Sequence, residues 1–164
     1  MERAPDGRIM VIADTCVPIN FMLAERLDLL CRHQDYRIVV TEHTRAELLD
    51  PGQLQQLEAT IRSGEVEMIQ VTDPDELSVF AALNAVLGRG ESAAIAVAEK
   101  RGWVVATDEK GRARREVESR LGKGRLLTTG RHILGPAYGH SVERTECHGH
   151  LLQQFRPPSL PGVV

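Results

Sequence analysis

Gly90-Glu91-Ser92-Ala93-Ala94-Ile95-Ala96-Val97-Ala98, followed across Lys100-Arg101-Gly102 by Trp103-Val104-Val105-Ala106-Thr107-Asp108, is the stretch on which the fold turns. Gly90 marks a turn, and Glu91 opens a helix of small residues at the end where the helix dipole is positive. The β-branched run that follows stops at an acid. A carboxylate at a helix start and another at a strand's C-terminal end share one edge of an α/β sheet. In open parallel sheets that edge is where ligands sit. A third acid holds an equivalent place near the N-terminus, where Arg8-Ile9-Met10-Val11-Ile12-Ala13 runs directly into Asp14. Acids distant in sequence that converge on such an edge imply a divalent metal.

Outward from this stretch the chain alternates between strand-like and helix-like segments. A strand is expected over 8–13 and a helix over 17–31, with Phe21, Leu23, Leu27 and Leu30 as core positions and Pro18 in the first turn, where its missing N–H costs little. Tyr36-Arg37-Ile38-Val39-Val40 reads as a buried second strand. A short helix then runs from Thr41 or His43 to Leu49 and is ended by Asp50-Pro51-Gly52. Another helix covers 53–62, and the partial alternation of 65–71 predicts a strand with one exposed face. Thr72-Asp73-Pro74-Asp75-Glu76 reads as a capped entry to a helix over 74–87. The helix from Glu91, a strand over 103–106, a helix over 109–120 and a strand over 125–128 complete the series. Such alternation favours a parallel sheet with helices on both faces. No internal repeat or low-complexity linker interrupts it. The tail beyond Tyr138 carries little pattern except a possible helical segment within 142–155.

At 164 residues with a formal net charge of −3, the chain is expected to form one domain with its own core. The charge argues against coating nucleic acid through bulk positive charge, but not against a local basic groove. Cys16, Cys31 and Cys147 are odd in number and widely spaced, so no disulfide framework is expected and a reducing cytoplasm is the simplest setting. No apolar run reaches membrane-spanning length, and the first residues lack the apolar stretch of a signal peptide.

Four acids carry the chemistry: Asp14, Glu47, Glu91 and Asp108. Taken singly, each has a local explanation. Asp14 or Asp108 can cap a helix, Glu91 can favour a helix dipole, and Glu47 can be a solvated surface residue. Together they point elsewhere, because four carboxylates in one place repel one another unless protons or cations intervene. An all-oxygen donor set selects a hard ion, Mg²⁺ or Mn²⁺. Thr15 and Thr107 are placed to orient carboxylates or water. Cys147-His148-Gly149-His150, with His140 nearby, lacks a partner Cys pair and the spacing of a zinc module. Cys16 reads as a packed thiol beside the acids rather than a nucleophile.

Four segments in order resemble the PIN-domain nuclease family, in its branch with a Gly-Glu-Ser/Ala-rich third motif: Ile12-Ala13-Asp14-Thr15-Cys16, Thr44-Arg45-Ala46-Glu47-Leu48-Leu49, Leu87-Gly88-Arg89-Gly90-Glu91-Ser92-Ala93-Ala94-Ile95-Ala96 and Ala106-Thr107-Asp108-Glu109-Lys110-Gly111-Arg112-Ala113-Arg114. Leu126-Leu127-Thr128-Thr129-Gly130 and His132-Ile133-Leu134 resemble its last strand and helix. The resemblance covers residues 8–135 and implies a three-layer α/β/α sandwich with a mainly parallel sheet, over a nuclease domain of residues 1–137. It further implies metal-dependent phosphodiester cleavage, usually of RNA. A toxin role like that of the VapC ribonucleases, an antitoxin partner and a homodimer are also implied. Cys16 departs from the pattern, since a small polar residue such as Ser or Asn is common at its position in the family.

On this reading Asp14 and Asp108 are metal ligands, directly or through water, and Glu47 and Glu91 complete the pocket around one or two ions. Arg45, Arg89, Lys110, Arg112, Arg114 and Arg115 are the candidate phosphate contacts, in a basic concentration that continues to Arg120, Lys123 and Arg125. The scarcity of aromatics leaves no base-stacking platform to read. A haloacid-dehalogenase-like phosphatase would need a second Asp two positions after the first, where Cys16 stands, and a receiver domain would need an early acidic pair. The remaining alternative is a PIN-like fold without catalysis that binds RNA or assembles with partners.

Overall fold

The computed structural model describes residues 1–133, apart from the side chains of residues 131 and 132. The expected C-terminal tail from 138, its Cys/His group and the end of the last helix lie outside the described residues. The chain order is β1 (Ile9–Ala13), α1 (Cys16–Leu23), α2 (Leu27–Cys31), β2 (Tyr36–Thr41), α3 (Glu42–Glu47), α4 (Pro51–Arg62) and β3 (Glu67–Ile69). It continues with α5 (Pro74–Asn84), α6 (Arg89–Arg101), β4 (Val104–Ala106), α7 (Arg112–Leu121) and β5 (Leu126–Leu127). A 3-10 turn, Lys123–Arg125, precedes β5, and a π-helical turn, Thr129–Ile133, follows it.

All five strands are parallel, in the order β3-β2-β1-β4-β5. The apolar β1 therefore lies at the centre, with Val11 opposite both Ile38 of β2 and Val104 of β4. Because successive strand residues point to opposite faces, the sheet divides the core in two. Val11, Ala13, Ile38, Val40, Val104 and Ala106 pack with Phe21, Leu30 and Leu57 on one face. Met10, Ile12, Val39 and Val105 pack with Leu83, Ile95, Val97 and Val117 on the other. The result is the expected three-layer α/β/α sandwich. Small residues bring α6 close to the sheet, and Ser92 through Ala98 are all buried.

Several local expectations are revised. The helix expected over 17–31 is two helices, because Glu25 adopts a left-handed φ of 56°. There the Glu25 N–H donates to the Met22 carbonyl at 3.0 Å and the Arg26 N–H to the Phe21 carbonyl at 2.9 Å. These are the paired bonds of a Schellman closure, usually made with glycine. Asp50-Pro51 begins α4 rather than merely ending α3: the Asp50 carboxylate accepts from the Gln53 N–H at 2.8 Å, and Pro51 is the first helical residue. β3 keeps three of the seven expected residues because only those register with Val39–Thr41 of β2 at the sheet edge. α6 starts at Arg89 with Gly88 as its cap, so Glu91 lies in the first turn and accepts from the Gly88 N–H at 3.1 Å. α7 begins at Arg112, leaving residues 109–111 as loop.

Candidate active site

β1 and β4 run side by side and both end at an acid-bearing loop, which places Asp14 and Asp108 on the same sheet edge. The Asp14 N–H continues the ladder by donating to the Ala106 carbonyl at 3.0 Å. Asp14 is 3% exposed. Its carboxylate accepts from the Thr107 hydroxyl at 2.7 Å, from the Cys16 thiol at 3.2 Å and from the Cys16 N–H at 3.2 Å. Burial raises the Asp14 carboxyl above its ordinary range, these donors oppose the rise, and the Glu47 charge adds to it.

Cys16 joins the two strand-end acids. Its sulfur touches the Asp14 carboxylate on one side and accepts the Asp108 N–H at 3.3 Å on the other. Burial pushes the thiol far above its ordinary range, with the Asp14 charge reinforcing the shift. The packed-thiol reading therefore fits, since a thiol held neutral is a poor nucleophile.

Glu47 reaches the edge from the end of α3. The Gly90 N–H donates to it at 2.9 Å and the Thr15 hydroxyl donates to its other oxygen. The approach depends on a missing side chain: a Cβ on Gly90 would lie 2.5 Å from a Glu47 carboxylate oxygen and 2.6 Å from the Thr15 hydroxyl. Gly90, the second residue of α6, is thus required by contact and not by a turn. Glu91, the next residue, is half-buried; burial and then the Asp14 charge raise its carboxyl, with Glu109 and Glu47 contributing.

Asp108 is held differently. One oxygen accepts from the Thr129 N–H at 2.7 Å, and the other accepts from the Asn20 amide at 2.6 Å and from the Thr129 hydroxyl. Neither Asn20 nor Thr129 is among the site residues expected from the sequence. Asn20 had one signal, its place one helical turn after Cys16. Thr129 follows the last strand at the edge where Asp14 and Asp108 follow theirs.

The structure therefore brings all four acids to one edge and couples Asp14, Glu47 and Glu91 electrostatically. It does not gather them into a closed cage: among the described residues, no three acidic, His or Cys side chains form a ready metal cluster. The donor set nevertheless fits a hard divalent cation. It is all oxygen, and among the described residues none of the four acids is paired with a Lys or Arg. Two of them, Asp14 and Glu91, are disfavoured as anions by burial, with the Glu47 charge adding to this at Asp14 and the Asp14 charge at Glu91.

The basic residues separate into two groups. Arg45 pairs with Glu58, Arg114 with Glu118 at 2.9 Å, and Arg120 with Glu99 and Glu116. Arg125 donates to the carbonyls of Trp103 and Ala98, which ties β5 to the end of α6. Arg89, Arg112 and Arg115 are exposed without an ion-pair partner among the described residues. Lys110 is exposed in the loop before α7.

A family profile described as a PIN domain matches residues 10–122. No curated protein matches the chain. Among solved structures, VapBC2 from Rickettsia felis, bound to a DNA fragment from its promoter, is similar at 11% identity and a TM-score of 0.46, covering 73% of this chain and 97% of that one. PAE2754 from Pyrobaculum aerophilum is similar at 18% identity and a TM-score of 0.43, covering 74% and 86%. The matched profile spans β1 through α7 and includes all four edge acids, and the chain belongs to the PIN-domain family.

Proposed function

We propose that the protein is a divalent-metal-dependent endoribonuclease that hydrolyses RNA phosphodiester bonds at the edge formed by Asp14, Glu47, Glu91 and Asp108. One observation carries the reading: four acids from four separate segments meet on one sheet edge with no Lys or Arg paired to any of them among the described residues. Asp14, Glu91 and Asp108 would hold Mg²⁺ or Mn²⁺, with Glu47 at the margin. A bound divalent ion supplies an activated water and offsets charge on the phosphate. Thr107 and Cys16 orient Asp14, and Gly90 leaves room for Glu47 beside Glu91.

RNA would approach along Arg89, Lys110, Arg112 and Arg115. The first turn of α7 contains Arg112, Arg114 and Arg115 and no acid. That is the unfavourable sign for a helix N-terminus, so the helix dipole does not account for Arg112 and Arg115, and phosphate binding would. Arg45 and Arg114 would contact RNA only after leaving Glu58 and Glu118. The family resemblance extends the reading to a toxin-type cytoplasmic nuclease with an antitoxin partner and a capacity to self-pair. No helix among the described residues is long and apolar enough to cross a membrane.

A second reading, a PIN-like module that binds or assembles without cleaving, draws on the engagement of Asp108 by three donors. Incubating the purified full chain with a mixed RNA pool, with and without Mg²⁺ or Mn²⁺, separates the two. Cleavage confined to metal-containing wild type, and lost in Asp14→Asn, is the expected result. Metal-independent cleavage, or none under any condition, overturns the proposal.

A further inference from the structure

We infer that Asn20 and Thr129 are positioning residues that set the divalent-metal affinity of the site by holding the Asp108 carboxylate. The inference rests on the metal-dependent reading above and extends it to two side chains outside the acidic set.

The contacts come from two elements, α1 and the turn after β5. Asn20 projects from α1 and donates its amide to an Asp108 oxygen at 2.6 Å. Thr129 opens the turn after β5 and grips both oxygens, with its N–H at 2.7 Å from one and its hydroxyl on the other. The Asp108 main chain is fixed as well, its N–H donating to the Cys16 sulfur at 3.3 Å. Thr129 is 2% exposed, so its hydroxyl has little water to turn to and its bond to Asp108 is locally enforced.

Asp108 follows a three-residue strand and stands at the start of a loop that runs to Arg112. Such a backbone does not by itself define where a carboxylate points. Three donors on two oxygens do. The same contacts leave few lone pairs free, so the direction of those that remain is set by Asn20 and Thr129. Outer contacts of this kind orient a ligand and raise its affinity, and their loss typically costs about 10–100-fold in metal binding.

The test titrates Mn²⁺ into the full chain and follows the free ion by electron paramagnetic resonance, with thermal melting recorded on the same samples. Thr129→Val retains the side chain's shape and the N–H but lacks the hydroxyl; Thr129→Ser keeps the hydroxyl; Asn20→Ala removes the amide from a partly exposed position. The expected result is a Kd for Mn²⁺ about tenfold weaker in Thr129→Val and in Asn20→Ala, with Thr129→Ser restoring affinity close to wild type. A strut without influence on the metal would lower the melting temperature and leave the Kd unchanged. Wild-type affinity in both Thr129→Val and Asn20→Ala therefore overturns the inference while leaving the nuclease reading intact. A wild-type protein that binds no Mn²⁺ overturns both.

Discussion

Replacing Gly90 with alanine is a test of the site's assembly in which two opposed effects differ in sign. Gly90 lies in the first turn of α6, where alanine should stabilise the helix by up to about 1 kcal/mol. Its Cβ, however, would meet a Glu47 carboxylate oxygen at 2.5 Å and the Thr15 hydroxyl at 2.6 Å. Both obstructing atoms are side-chain ends, so they would swing aside and the backbone would stay. The cost is then the bonds that Glu47 makes to the Gly90 N–H and the Thr15 hydroxyl. Bonds to a charged acceptor contribute about 1.5–3 kcal/mol each. Rehydration of the half-buried carboxylate returns part of this, which leaves a net destabilisation of about 1–3 kcal/mol after the helix gain. With a urea m-value of about 1–3 kcal/mol/M, the unfolding midpoint should fall by roughly 1 M. In a Thr15→Ala/Glu47→Ala background the obstruction is gone, and the same substitution should raise the midpoint. Metal-free urea unfolding of the four proteins measures this cycle. A Gly90→Ala variant more stable than wild type would refute the close approach and with it the docking of Glu47 on α6.

Other consequences follow from the charges. Asp14→Asn should stabilise the metal-free protein at neutral pH, because burial raises the folded-state carboxyl above 3.8. A raised acid supports the fold at low pH and loses that support as pH rises through its folded value, so the variant's advantage should vanish below about pH 4; thermal melts from pH 3 to 8 that show a constant difference would contradict this. Glu76 is 2% exposed and gripped by Arg101, and Glu76→Ala should cost about 2–3 kcal/mol in urea unfolding, below the range for a fully buried pair because Arg101 keeps part of its hydration. Arg112→Gln/Arg115→Gln should weaken RNA binding and lower the slope of log K against log salt by about 1.4, at about 0.7 per phosphate contact on a single strand; fluorescence anisotropy with an unchanged slope would remove both residues from the RNA path.

The legibility of the chain varied with the range of the forces involved. β1 and β4 were readable because apolar β-branched runs ending in an acid have few other uses, and parallel pairing then places Asp14 and Asp108 together. The helix break at Glu25 was not readable, since nothing local requires a glutamate to take a left-handed conformation that glycine usually fills. Asp50-Pro51 is ambiguous by nature: the same pair ends one helix and caps the next, and only the bond from the Gln53 N–H to Asp50 establishes the start of α4. The arginines show the same limit. Arg45 and Arg125 look alike in sequence, yet one pairs with Glu58 and the other ties together two carbonyls.

What the sequence by itself determined is the order of elements, the parallel sheet they imply and the acids that follow β1 and β4, because periodicity and turn chemistry act over a few residues. Tertiary structure alone decided that Glu47 docks against Gly90, that Asp108 is held by Asn20 and Thr129, and that Cys16 lies between the two strand-end acids. Glu47–Gly90 and Asp108–Asn20 join residues 43 and 88 positions apart. Such contacts arise only when packing the helices on the sheet brings distant hydrogen-bonding groups within reach and excludes the water that would otherwise satisfy them.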